Sequence, residues 1–246
     1  MKVLFRQVEV ELKLFWRNRI SVFFTVLLPI LMMVVFGYLN QDAKIGNIPY
    51  AAFFLPGAIT MQVMGSAFEN LSVTLTRQRE DGVLKRLGGT PLRKWVFLGS
   101  KMLTASLVIF VQTLLLIAIG ALFFEVKIVG SPLLFLLVLL TGIVTFTSMG
   151  FALSGLINSA DSQSAAAHTI QWPMLFICGS FFPIDLLPGL LQHVARVLPL
   201  TYFVGPLRAV LIEEQGLGES GVDLLVLLIW MTCCFIVSFK TFRWND

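Results

Sequence analysis

What most constrains this chain is a series of long stretches that contain no Asp, Glu, Lys or Arg. They run Ile20–Gln41, Ile45–Phe68, Met102–Phe124, Ile128–Ala160 and Ser162–Ile184, with a shorter one at Leu224–Phe239 completed by the turn before it. At about 1.5 Å per residue, roughly 20 helical residues cross the hydrocarbon core of a bilayer. Backbone polar groups cannot be left open there, so each stretch reads as a helix. Of the 246 residues, 57% are hydrophobic and only 13% are charged, where a soluble domain carries about a quarter charged. That excludes both an ordinary soluble enzyme and a disordered chain. The expected fold is all-α, a single transmembrane domain over residues 1–246 with six transmembrane helices.

An even number of spans puts both termini on one side of the membrane. Fourteen of the 18 Lys and Arg residues lie before the first span, between spans two and three, or after the sixth; Lys44, Lys127, Arg196 and Arg208 lie on the other side. The positive-inside rule therefore makes both termini cytoplasmic. The same asymmetry explains the formal charge of +4 as a topology signal rather than a nucleic-acid footprint. The first block is too long for a signal peptide and is expected to stay as an anchor. Cys178, Cys233 and Cys234 all fall in apolar segments and form no disulfide or zinc pattern. Asn70-Leu-Ser72 matches a glycosylation sequon, but on this topology it faces the cytoplasm.

Three segments outside the spans carry patterns of their own. Residues 2–18 read as an amphipathic interfacial helix, with Leu4, Phe5, Val8, Leu12, Phe15 and Trp16 on one side and Arg6, Lys13 and Arg17 opposite. In the loop after span two, Val83, Leu84 and Leu87 make a narrow apolar side, and Asp81 and Lys85 are spaced to pair at i, i+4. Gly88-Gly89 ends that short helix and Thr90-Pro91 is placed to start the next. Residues 183–221 form the longest outer segment. Leu187, Leu190, Leu191, Val194 and Leu198 recur at helical spacing among Pro183, Pro188, Pro199 and Pro206, with charges too frequent for a seventh span. Two short helices re-entering the outer leaflet fit this pattern.

At these residues the chain resembles the permease subunits of type-2 ATP-binding-cassette (ABC) exporters. The likeness covers nearly the whole length: an amphipathic leader, six spans, and the loop Arg79-Glu80-Asp81-Gly82…Leu87…Thr90-Pro91. The fifth span ends Cys178-Gly-Ser-Phe-Phe-Pro183, followed by Leu187-Pro188, Leu198-Pro199-Leu200-Thr201-Tyr202 and Leu207-Arg208. The resemblance implies two paired six-span permeases, identical or different, in the cytoplasmic membrane of a prokaryote, each docked to a separate ABC ATPase that holds the ATP and Mg. It implies that Arg79, Glu80, Asp81, Gly82, Leu84, Lys85, Leu87, Thr90 and Pro91 form the coupling element. Spans two and five would line the route, with an outer gate at Phe181, Phe182, Pro183, Pro199 and Tyr202.

The residues themselves exclude ATPase chemistry from this chain. A P-loop needs a glycine-rich turn followed by Lys, and no Gly-Lys dipeptide occurs. No His-Glu-x-x-His, Cys-x-x-Cys or nucleophile elbow is present, so no catalytic or metal site and no bound cofactor is expected. Polar residues within the spans are candidate route groups: Thr60, Gln62, Ser66 and Glu69 in span two, His168 and Gln171 in span five. Glu69 could line the route, pair with an arginine such as Arg77, or merely reach the interface. His168 reads as a packing or pathway residue more than a proton relay. An ion-coupled transporter would need more intramembrane carboxylates than Glu69, and a lipid enzyme would need clustered His, Asp or Cys. The mostly apolar lining suits a hydrophobic or amphipathic cargo such as a drug, a lipid-like compound or a peptide. A polysaccharide or lipid-linked glycan is the alternative, and only Tyr38, Tyr50 and Tyr202 could supply tyrosines to such a route.

Overall fold

The structure is a computed structural model that describes residues 2–90, 94–212 and 217–241. It is helical almost throughout. Helix α1 (Lys2–Arg17) and the single turn α2 (Arg19–Val22) lead into a π-helical segment, Phe23–Leu27, and then α3 (Leu28–Leu39). A two-residue antiparallel ribbon follows, β1 (Lys44–Ile45) with β2 (Ile48–Pro49). Next come α4 (Tyr50–Val63), a second π-helical segment Met64–Asn70, α5 (Leu71–Glu80), α6 (Val83–Gly88), α7 (Lys94–Phe124) and α8 (Pro132–Leu156). The remainder is α9 (Ala160–Ile177), a 3-10 turn at Ile184–Leu186, α10 (Gly189–Ala195), α11 (Thr201–Ile212) and α12 (Leu217–Thr241).

Among the described residues four helices are long and apolar enough to cross a membrane: Tyr50–Glu80, Trp95–Phe124, Pro132–Leu156 and Gly221–Thr241. The apolar helix Phe23–Leu39 is shorter, and α9 has 18 residues diluted by Gln163, His168 and Gln171. The charge-free block Ile128–Ala160 is trimmed at both ends. Pro132 starts α8 at a position where a missing N–H costs nothing, and Ile157 leaves the helix with an extended backbone. Helix α7 starts at Lys94, ahead of its charge-free stretch, because Lys101 is accommodated inside it.

The rod Tyr50–Glu80 is the axis of the fold, its apolar stretch buried on all sides. Helices α3, α7, α8 and α11 pack around it, and its Phe54, Leu55, Ile59, Met64 and Phe68 fill the core with Met33, Ile109, Leu139, Phe146 and Phe203. Helix α12 lies along α8 on the outside of the bundle. The small-residue face of α8 brings backbones together, with Gly150 set against Ala67 and Phe68.

The leader α1 packs against α7. Leu4, Val8, Leu12 and Phe15 turn inward together with Glu11, whereas Phe5 and Trp16, assigned by the sequence to the same apolar side, point outward. At 100° per residue, positions 4, 8, 11, 12 and 15 form one stripe, and positions 5 and 16 stand on its flanks. On the outer surface of the helix Lys13 donates to Glu9 at 2.6 Å and holds that carboxyl below its ordinary range, chiefly through this hydrogen bond.

Candidate functional site

The loop after the axial rod is built around a chain reversal. Helix α5 ends at Glu80, and Asp81-Gly82 turns the backbone, Gly82 adopting the left-handed conformation at φ +68°. Helix α6 then starts at Val83 and is anchored by Leu84, which is buried with Leu71, Leu75, Phe97 and Phe151. Because Asp81 lies in the turn, the pair expected between Asp81 and Lys85 along one helix does not form among the described residues. Instead Arg86 folds back onto the carbonyls of Asp81 and Gly82. Lys85 and Arg86 are exposed, Leu87 is half-buried, and the Thr90 hydroxyl donates to the Leu87 carbonyl at 2.6 Å. Pro91 lies outside the described residues, and with it the expected start of the next helix.

Arg79 and Glu80 point away from α6. The Arg79 guanidinium donates to the carbonyl of Ile157, and the Glu80 carboxylate accepts the amide of Ala160 at 3.1 Å. These are the carbonyl of the residue that follows α8 and the first amide of α9. A carboxylate there satisfies an open helix donor and opposes the positive end of the helix dipole. Glu80 thus caps another helix. The end of α5 is thereby fastened to the start of α9.

About two and a half turns further up the same two elements meet again. Glu69, in the π-helical segment, faces His168 of α9 with 3.4 Å between carboxylate and ring nitrogen, and Gln171 lies alongside. The arginine partner that the sequence offered for Glu69 is therefore replaced by a histidine 99 positions on. The other polar residues of the rod turn elsewhere. Gln62 donates to the Ile109 carbonyl at 2.9 Å and to the Thr113 hydroxyl at 3.1 Å, Ser66 donates to Gln112 at 3.3 Å, and Thr60 to its own helix at Pro56. Gln62 and Ser66 tie the rod to α7, and Thr60 is buried in the core. Of the six polar residues singled out, Ser66, Glu69 and His168 share one cleft, of about 580 Å3, between α1, the two π-helical segments, α5, α7 and α9.

At the outer end Phe181 closes an aromatic cluster, stacked on Phe176 at 4.9 Å and set against Phe54 at 5.6 Å, while the Tyr50 hydroxyl donates to its carbonyl. Phe182 is exposed. Pro183 starts the 3-10 turn. Pro199 is buried and Tyr202 half-buried, its hydroxyl bonded to the Arg196 carbonyl. Of the leucine stripe expected in this segment, Leu190 and Val194 are exposed and Leu187, Leu191 and Leu198 half-buried; Leu186 and Val197 beside it are exposed as well.

Two polar contacts were not singled out in the sequence. Lys101 and Glu11 pair at 2.6 Å, both nearly fully buried. Arg208 lies 3.8 Å from the Phe53 ring centre and donates to the Gly179 carbonyl at 2.7 Å. Each joins residues far apart in the chain, and the only sequence signal was a charge next to or within an apolar run.

The profile of the ABC-2 type transporter family matches residues 4–212. The chain belongs to the ABC-2 type transporter family. Among its relatives is ycf38 of Cyanophora paradoxa, provisionally named a transport permease, 28% identical over 98% of this chain and 88% of that protein. YbhR of Escherichia coli K12, provisionally named a multidrug ABC transporter permease, is 22% identical over 80% of this chain and 54% of its own length. Nodulation protein J of Bradyrhizobium diazoefficiens is 27% identical over 81% and 76% respectively. The chain is thus an ABC transporter permease, a multi-pass membrane protein of a system that includes an ATPase partner. Among the described residues no group of three His, Cys, Asp or Glu could hold a metal ion.

Proposed function

We propose that this permease is the membrane half of an ATP-driven exporter, with six spans and both termini cytoplasmic. A separate ATPase drives it through the 77–90 loop, with ATP and Mg bound on that partner, and a second permease completes the route. The observation that carries the proposal is the double clamp of Arg79 and Glu80 on Ile157 and Ala160. A force applied to the exposed face of α6 passes to α5 through the Asp81-Gly82 turn, and from there to the first amide of α9 through Glu80 and to the α8–α9 connection through Arg79, hydrogen bonds to charged groups each worth about 1.5–3 kcal/mol. Spans two and five then move together. Helix α9, at 18 residues, reaches about 27 Å, and the run Arg19–Leu39 about 31 Å; these supply the fifth and first spans.

Pairing is supported by the outer face of α9. Asp161, Ser162, His168 and Thr169 are exposed there, and polar groups at membrane depth require water or protein beside them. A second permease, or the route between two, provides both. The apolar side chains Leu14, Phe15, Ile20 and Phe24 along one wall of the cleft and the exposed leucines of the outer segment favour an amphipathic cargo over a glycan. The segment Ile184–Ile212 is read as a re-entrant cap that gates the outer end.

The test is purification of the tagged full-length chain from gently solubilised native membranes, with ATP hydrolysis measured in the eluate. An ATPase subunit is expected to co-elute. Glu80→Gln removes the charge that holds Ala160, and is expected to lower cargo moved per ATP several-fold while the ATPase stays bound. A chain that elutes without an ATPase, and without hydrolysis, would overturn the proposal.

A further inference from the structure

The cleft of about 580 Å3 is lined unevenly, and the unevenness specifies a ligand. One wall comes from the leader and the start of the first span: Leu14, Phe15, Ile20 and Phe24. Leu14, Ile20 and Phe24 are exposed apolar side chains. The facing wall comes from the axial rod and is polar: Ser66, Glu69, Asn70, Thr74 and Gln78. From Ser66 to Asp81 the rod advances about 22 Å at 1.5 Å per residue, so the cleft is a groove with a cytoplasmic mouth at Arg77 and Asp81 and a deep end at Ser66, Glu69 and Thr104.

Two features mark the deep end as built for an occupant. The Thr104 hydroxyl lines the cleft, is 8% exposed, and makes no hydrogen bond; Gln78 Oε1 nearer the mouth is likewise buried without a partner. Buried polar groups of this kind call for a ligand or water. The two π-helical segments, Phe23–Leu27 and Met64–Asn70, also meet at this cleft, contributing Phe24, Thr25, Ser66 and Glu69 to its wall. Single wide turns inside helices recur at functional sites because they re-aim side chains and free backbone groups.

The charges around the cleft set the sign. Three carboxylates, Glu11, Glu69 and Asp81, line the cleft against the two Lys and Arg cations Lys101 and Arg77. Lys101 is answered by Glu11 at 2.6 Å, and Arg77 and Asp81 both stand at the mouth. Glu69, with the His168 ring at 3.4 Å, is the carboxylate that no Lys or Arg of the lining offsets.

We infer that this cleft, inside a single permease chain, binds a cationic amphiphile with its apolar body against Leu14, Phe15, Ile20 and Phe24 and its cation at Glu69. The inference deepens the exporter reading by naming the cargo class and its entry position, and rests on that reading only in taking the bound molecule to be cargo. A flat, delocalised cation gains further from Phe15 and Phe24 through cation–π attraction. An anion of the same shape would face the Glu69 carboxylate there.

The experiment measures equilibrium binding of radiolabelled tetraphenylphosphonium, and of tetraphenylborate as the anion of the same shape, to the full permease complex in nanodiscs of phosphatidylcholine. Saturable binding of the phosphonium and none of the borate is expected, and Glu69→Gln should weaken the phosphonium by tenfold or more. Thr74→Cys is a mild change on the polar wall; its alkylation by a maleimide should slow several-fold with the phosphonium present and not with the borate. Equal binding of both ions, full affinity in Glu69→Gln, or unprotected Cys at position 74 would each overturn the inference. Co-elution of the ATPase is scored on the same preparations. Selective phosphonium binding without an ATPase would therefore sink the exporter reading and keep the site, and an ATPase without selective binding would do the reverse.

Discussion

Glu11→Ala is the sharpest single perturbation the structure offers. The carboxylate of Glu11 and the ammonium of Lys101 are 2.6 Å apart, with 8% and 4% of their side chains exposed, and this pair fastens the leader helix to α7. Removing one partner of a buried pair leaves the other charged and unsolvated, a cost of about 3–5 kcal/mol. An independent argument sets a ceiling. A lysine has a reference pKa of about 10.4, so neutralising it at pH 7.5 costs about 4 kcal/mol at 1.36 kcal/mol per unit. An abandoned Lys101 gives up its proton before the penalty exceeds that value.

The ceiling is pH-dependent, and this distinguishes the mechanism from simple lost packing. At pH 9 the same neutralisation costs about 2 kcal/mol, so the Glu11→Ala defect should shrink by roughly half as pH rises from 7.5 to 9. A cavity left by a missing methylene would not respond to pH. The assay is equilibrium unfolding in mixed micelles at the two pH values, for wild type, Glu11→Ala, Lys101→Met and a double variant, Glu11→Leu with Lys101→Met. The apolar double variant is expected to be near wild type, since replacing both charges removes two desolvation penalties along with the attraction. Glu9→Gln, at the exposed pair with Lys13, serves as the control and should leave the midpoint in place. Single variants that cost less than about 1 kcal/mol, or a defect of equal size at both pH values, would refute the reasoning.

Two other substitutions probe the backbone. A Cβ at Gly57 would lie 2.2 Å from the Ser180 carbonyl oxygen, a backbone atom that cannot rotate away, so Gly57→Ala should part α4 from the end of span five. A loss of about 2–3 kcal/mol, typical of overpacking, is expected in the same unfolding assay. At Gly82 the surroundings are open and only the left-handed backbone resists. Gly82→Ala should cost about 1 kcal/mol and Gly82→Asn less, with coupling of hydrolysis to transport as the second readout.

That the chain is largely helical and membrane-embedded was legible because it depends on composition along the chain. Charge-free stretches of 20 residues read as membrane or deep-core helix, but their ends did not: the stretch Ile128–Ala160 is cut to Pro132–Leu156 by Pro132 and by the extended backbone at Ile157. The pairings were less legible. Glu69 and His168 were each visible as polar residues in apolar surroundings, but nothing in a linear pattern says that positions 69 and 168 meet at 3.4 Å. The same holds for Glu11, which reads as one more polar residue on an amphipathic helix until Lys101 is found opposite it. Thr60, Gln62 and Ser66 show the converse. Their polarity pointed to a route, and the structure uses Gln62 and Ser66 to hold α4 and its π-helical continuation against α7. Intramembrane polarity identifies residues that need partners; which partner each takes is a property of the packed bundle.

The axial rod explains why these contacts fall where they do. A helix buried on all sides cannot move alone, since any displacement drags the helices packed on it. Its polar contacts therefore decide which neighbours follow. Toward α7 the rod makes neutral hydrogen bonds through Gln62 and Ser66, each worth about 1 kcal/mol. Toward α9 it uses carboxyl groups at two heights, Glu80 at the end and Glu69 above it, with Arg79 holding the α8–α9 connection at Ile157. The stronger set lies on the α9 side, next to the exposed polar face of that helix. A push on α6 is thus transmitted preferentially to the helix that borders the proposed route, and the π-helical segment between the two attachment points is where the rod can yield.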